Sequence, residues 1–170
     1  MRRVALSIFI AAMFLPPAGA AENEAGCDKF AWSLARERAL FAKADKIEVA
    51  AGDKLAFVPT SAMSVKLRPG NNVLFALPPE RKPRSEHWFG GAIWFASATR
   101  PGIFQVTLSE DAWVDVVQNN RYARSVGSSG RRDCAGLRKS VRLELGMAPF
   151  VLQISGVESD TVLVALSPGE

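Results

Sequence analysis

The chain has 170 residues, 48% of them hydrophobic, which suits one domain with a buried core. Its 21 basic and 17 acidic side chains leave a net charge of +4, too balanced to mark a nucleic-acid partner. A single histidine and two cysteines are too few for a zinc or non-haem iron centre built on several such ligands.

Residues 1–20 read as a secretory signal. Arg2 and Arg3 form a basic start, residues 4–15 are apolar, Pro16-Pro17 breaks the run, and Ala18-Gly19-Ala20 offers small residues for cleavage. The apolar run is shorter than the ~20 residues that span a bilayer, so no transmembrane span is expected once the signal is removed. An uncleaved anchor is the other reading. Cleavage removes Arg2 and Arg3, the only charged side chains there, and lowers the net charge to +2. The expected location is periplasmic or secreted. Ala25-Gly26 before Cys27 echoes a lipoprotein motif, but Glu24 stands where that motif usually has leucine.

Residues 21–46 form an N-terminal segment, and residues 47–170 a β-domain. A helix is expected over residues 33–42, with Ser33 as N-cap and Leu34, Ala35, Arg38 and Phe41 at helical spacing. Phe30, Trp32, Leu40 and Phe41 would pack on the β-domain. Short strands are expected at 46–49, 55–58, 63–67 and 73–77, with a turn at 68–72. Residues 78–91 carry three prolines, which excludes a central strand. This segment holds Arg81, Lys82, Arg84, the lone His87 and Trp88-Phe89. It reads as an exposed loop, or more sharply as a recognition loop.

The main β-run follows. Strands are expected at 92–96, 102–109, 111–118, 121–126, 141–145, 150–155 and 162–166. Phe104, Val106 and Leu108 alternate with Gln105, Thr107 and Ser109, the period of a strand with one buried face. Asn119-Asn120 suits a tight hairpin, and residues 127–136 read as a long polar loop. Strands at this spacing predict a mainly β fold, an antiparallel β-sandwich of about eight to ten strands, jelly-roll-like, with a short N-terminal helix. Cys27 and Cys134, an even pair in an exported chain, are expected to form a disulfide.

Catalytic equipment is sparse. His87 would have to serve any Ser-His-Asp triad, and no G-x-S-x-G motif accompanies it. Glu110, Asp111 and Asp115 form one acidic group and Glu158 and Asp160 another; both are weak candidates for a carboxylate pair, and the second for calcium. No cofactor is expected. Basic residues gather at Arg121, Arg124, Arg131, Arg132, Arg138, Lys139 and Arg142. With Arg81, Lys82 and Arg84 they form a candidate surface for acidic polysaccharide or lipid headgroups, the alternative being scattered solvated charges. Trp113 and Tyr122 add stacking faces for sugars. The candidate binding set is therefore Arg81, Lys82, Arg84, His87, Trp88, Trp113, Tyr122, Arg124, Arg131 and Arg132.

Six stretches carry a resemblance: Cys27-Asp28-Lys29-Phe30-Ala31-Trp32, Arg36-Glu37-Arg38-Ala39-Leu40-Phe41, Leu77-Pro78-Pro79-Glu80-Arg81-Lys82-Pro83, and residues 102–109, 112–118 and 138–142. Together they resemble a family of small exported bacterial proteins of unknown function, some of which carry the name homogentisate 1,2-dioxygenase. That name implies an iron held by two histidines and a glutamate in a much longer, cupin-based chain. With His87 alone this chain cannot supply that site, and the name does not carry over. The expected function is a non-catalytic binding module of the periplasm or cell envelope, with an envelope glycan as ligand. The alternatives are a protein-interaction subunit of an envelope assembly, or a carboxylate-based enzyme.

Overall fold

The structure, a computed structural model, describes residues 26–169. The expected signal segment lies outside the described residues. A helix α1 (Ala35–Ala42) precedes twelve strands: β1 (Ile47–Ala50), β2 (Lys54–Leu55), β3 (Met63–Lys66), β4 (Arg68–Pro69), β5 (Phe89–Phe95), β6 (Gly102–Leu108), β7 (Trp113–Gln118), β8 (Arg121–Tyr122), β9 (Ser125–Gly130), β10 (Lys139–Leu145), β11 (Phe150–Val157) and β12 (Thr161–Pro168).

They form two facing sheets. One has the order β1-β3-β12-β6-β10-β9; the other runs β2-β5-β11-β7-β8, with β4 also paired to β5. The chain passes between sheets so that β3-β12-β6-β10 faces β5-β11-β7-β8, the interleaving of a jelly roll. The expected sandwich is present, and its central ladders are antiparallel. At the margins β1 pairs with β3 and β2 with β5 in parallel, so both sheets are mixed.

Alternation places the core. Phe104, Val106 and Leu108 of β6 are fully buried, as are Leu152 and Ile154 of β11 and Val164 of β12. Phe95 stacks on Phe150 with ring centroids 4.7 Å apart. The residues between them point outward, yet many are buried too, because each sheet wears a cover.

The N-terminal segment covers the first sheet. Trp32 Nε1 donates to Ser140 Oγ (3.0 Å), Ser140 shares a hydrogen bond with Thr107 (3.1 Å), and the Arg142 guanidinium lies 4.5 Å from the Trp32 ring centroid. Glu37 of α1 is 1% exposed; it accepts from Ser167 Oγ (3.1 Å) and pairs with Arg36 (3.3 Å). The disulfide between Cys27 and Cys134 is formed and joins a separate apolar cluster with Phe30, Leu34 and Leu137, against which Trp32 and Phe41 pack. Leu34, not Ser33, occupies the N-cap position of α1; Ser33 Oγ instead accepts from the Ala35 N–H at 3.4 Å.

Residues 73–88 cover the second sheet. The strand expected at 73–77 does not form; the segment instead crosses the sheet as a strap. Gln153, on the outward face of β11, accepts from the N–H groups of Ala76 (2.7 Å) and Leu77 (3.1 Å) and donates to the Leu77 carbonyl (3.1 Å). These side-chain bonds replace the ladder that a further strand would have made.

A second departure lies at 127–136, where a loop was expected. Ser125–Gly130 is strand β9, paired antiparallel to β10. Its small residues carry no apolar alternation, so the period gave no signal. Gly127 lies under Trp32, where an added Cβ would come within 3.2 Å of the ring. At 55–58 only Lys54–Leu55 pairs, and Phe57 is exposed. Asn119 and Asn120 have φ of 53° and 58°, and turn β7 into β8 as the hairpin reading required. No helix among the described residues is long and apolar enough to cross a membrane.

Candidate functional site

One end of the second sheet opens into a groove of roughly 500 Å³ between the strap and the neighbouring loops. Its floor is Trp113, where β7 begins, and Ser155-Gly156, where β11 bulges. Gly156 has a φ of +79°, a conformation glycine adopts without a Cβ penalty, and the bulge sets Ser155 beside Trp113 in register. One wall is the strap, with Arg81, Lys82, Arg84, His87 and Trp88. The other is the β9–β10 connection, with Arg132, Arg138 and Lys139. Glu110, Asp111 and Glu158 stand on the rim.

The fold fixes the basic walls in different ways. The Arg81 guanidinium sits 5.4 Å from the Trp113 ring centroid. Arg138 donates to the Arg132 carbonyl, and the whole connection is held by Cys134. Arg131 donates to the Lys29 carbonyl at 2.9 Å, and Lys29 pairs with Asp133 at 3.8 Å, so the bridge is reinforced by polar contacts around it. Lys82, Arg84 and Arg132 make no side-chain hydrogen bond or ion pair among the described residues.

Of the ten residues singled out from sequence, seven meet here: Arg81, Lys82, Arg84, His87, Trp88, Trp113 and Arg132. Three do not line it. Arg124 pairs with Glu144 (3.3 Å), Arg131 is spent on the Lys29 carbonyl, and Tyr122 donates its hydroxyl to the Pro78 carbonyl. They are close to the others in sequence, but their own partners hold them elsewhere. Trp88 is half-buried, stacked with Phe75 at 6.3 Å and packed on Gly70, so Trp88-Phe89 is not an exposed apolar patch.

Ser155 was missed by the sequence reading. Its residue is 2% exposed, and among the described residues its Oγ is the one buried side-chain polar atom without a hydrogen-bond partner. Arg138 and Lys139, part of the basic run in the sequence, complete the second wall.

A smaller cavity of roughly 100 Å³ adjoins the groove and shares Trp113 and Lys139 with it. It holds Asp115, which lies in mid-strand and is 3% exposed rather than at a turn. Burial raises the Asp115 carboxyl above the usual carboxylate range, and the adjacent Glu80 carboxyl pushes it the same way. Hydrogen bonds from the Glu80 N–H (3.2 Å) and Trp113 Nε1 (2.7 Å) oppose that rise. Partial burial and the same two carboxylates raise the Tyr122 phenol, which keeps its proton for Pro78. Asp115 is thus a third anchor of the strap, with one oxygen on each donor.

The second acidic group does not form a unit. Asp160 is paired with Lys66, whose hydrogen bond lowers its pKa, and Glu158 points to the groove. Among the described residues no cluster of three or more His, Cys, Asp or Glu is placed to hold a metal. No family model, curated protein or solved structure matches this chain.

Proposed function

We propose that this protein is an exported, non-catalytic binding module of the cell envelope and that the groove takes an envelope glycan. The carrying observation is that six basic residues from two distant segments, Arg81, Lys82, Arg84, Arg132, Arg138 and Lys139, converge around Trp113 in one groove. The volume lies within the ordinary range of ligand sites, about 300–1,000 Å³. The Trp113 indole on the floor is an aromatic surface of the kind that sugars stack on. Glu110, Asp111 and Glu158 on the same rim disfavour a densely charged phosphate backbone. The disulfide supports export, since such bonds persist in oxidising compartments. Asp115 supports binding over catalysis, because both its oxygens hold structure.

A glycan array probed with the mature protein, followed by calorimetric titration of the hits, tests the reading. The expected result is binding that the double variant Arg84→Ala/Arg132→Ala weakens at least ten-fold. Wild-type protein that binds no glycan on the array but captures a defined exported protein would replace this reading with the protein-interaction one.

A further inference from the structure

The groove carries an observation that its basic walls do not explain. Ser155 Oγ is buried at its floor with no partner, although nearly every buried side-chain polar atom in a protein has one. Such a group costs stability until something meets it. The strap passes over this part of the floor, with Pro83 beside Gly156. Yet between Glu80 and Trp88 no hydrogen bond ties the strap to either sheet among the described residues. Within the span from Arg81 to His87 the contacts with the floor are the Arg81 guanidinium over Trp113 and Pro83 packed beside Gly156. It can lift from the floor without breaking a hydrogen bond.

We infer that the groove selects sugars bearing a single anionic group per residue, bound with the strap displaced from Ser155. This rests on the glycan reading above and names the ligand class. The charge distribution argues for it. The lining holds six cations and three carboxylates, so the surplus suits a sparsely charged ligand rather than a polysulfated one. The unpaired heads of Lys82, Arg84 and Arg132 take the sugar's anionic group. Glu110, Asp111 and Glu158, which as carboxylates only accept, take hydroxyl donors at the rim. Ser155 Oγ pairs with one ring hydroxyl, and Trp113 supports the ring face.

The test titrates the mature disulfide-bonded protein with trigalacturonate, maltotriose and a heparin hexasaccharide, each at two salt concentrations. Trigalacturonate should bind at least ten-fold more tightly than either of the others, and added salt should weaken it. Ser155→Ala should lower trigalacturonate affinity about five-fold, as expected for one lost hydrogen bond. The same variant should unfold at the same urea concentration as wild type or a higher one, because the hydroxyl stabilises nothing in the free protein.

Maltotriose binding as tightly as trigalacturonate overturns this inference and leaves the glycan reading standing. Heparin binding more tightly than both does the same. No binding by any of the three, together with an empty glycan array, overturns both. Ser155→Ala that loses stability but keeps its affinity assigns the hydroxyl to the fold and removes it from the site.

Discussion

Gln153 holds Leu77 by both of its backbone groups, with two hydrogen bonds of 3.1 Å in opposite directions. A side chain on the outward face of β11 thereby acts as the strand neighbour that the strap never forms. Gln153→Leu keeps the volume and leaves the Ala76 and Leu77 groups unpaired. Stability should fall by about 2 kcal/mol, the cost of buried backbone groups that lose their partners. Limited trypsin digestion should also cut after Arg84 faster than in wild type. Equal rates would show that the strap is held without the Gln153 bonds, by its other anchors.

The disulfide closes a loop whose ends lie 107 residues apart. Its cluster is separate from the core between the sheets. Cys27→Ser/Cys134→Ser should therefore lose about 3 kcal/mol in urea unfolding while keeping its far-ultraviolet circular dichroism. Ligand affinity should drop as well, because the bridge places Arg132 on the groove wall. A variant as stable as wild type would mean that the N-terminal cover docks without it.

Asp115 makes stability depend on pH in an unusual direction. Its unfolded carboxyl titrates near 3.8, and burial raises the folded value above that. Between the two values the native state binds more protons, so this residue's contribution falls as pH rises through the window. Asp115→Asn removes the effect and still offers an acceptor to the Glu80 N–H. The stability of wild type relative to this variant should decline from about pH 4 upward. Urea titrations at several pH values would show it; a constant difference would contradict the burial argument.

Glu37 is a buried charge held by Arg36 and Ser167 on the outward side of the first sheet. Glu37→Ala should cost about 2 kcal/mol by chemical denaturation, as for other buried hydrogen bonds to a charged group. Glu37→Gln, which can still accept from Ser167, should cost less. If both variants lose the same amount, the charge itself holds the helix in place.

The inward faces were legible in the sequence because apolar alternation is a direct image of burial. Phe104, Val106 and Leu108 were readable for that reason, and so was the Asn119-Asn120 turn, whose residue types match its backbone angles. The covers were not legible. Gln105, Gln153 and Asp115 look like solvent-facing positions in any strand, and their burial depends on segments far away in the chain. The same limit applies to the groove. Its basic residues could be named from composition and its aromatic floor guessed from Trp113, but Ser155 carries no local signal. Only the bulge at Gly156 and the strap passing over it make that serine unusual.

The interleaved strand order has a consequence for how the molecule comes into being. In the first sheet β12 joins β3 to β6 and β10 joins β6 to β9; in the second, β11 joins β5 to β7. All three joining strands lie within residues 139–168. A chain emerging from its N-terminus has nearly every outer strand long before it has the strands that unite them. Most of its ladders are distant in sequence, so folding must wait for the chain's last part and then proceed slowly. Until then β3, β5, β6 and β7 offer unpaired edges, and the growing polypeptide has no stable folded form to adopt.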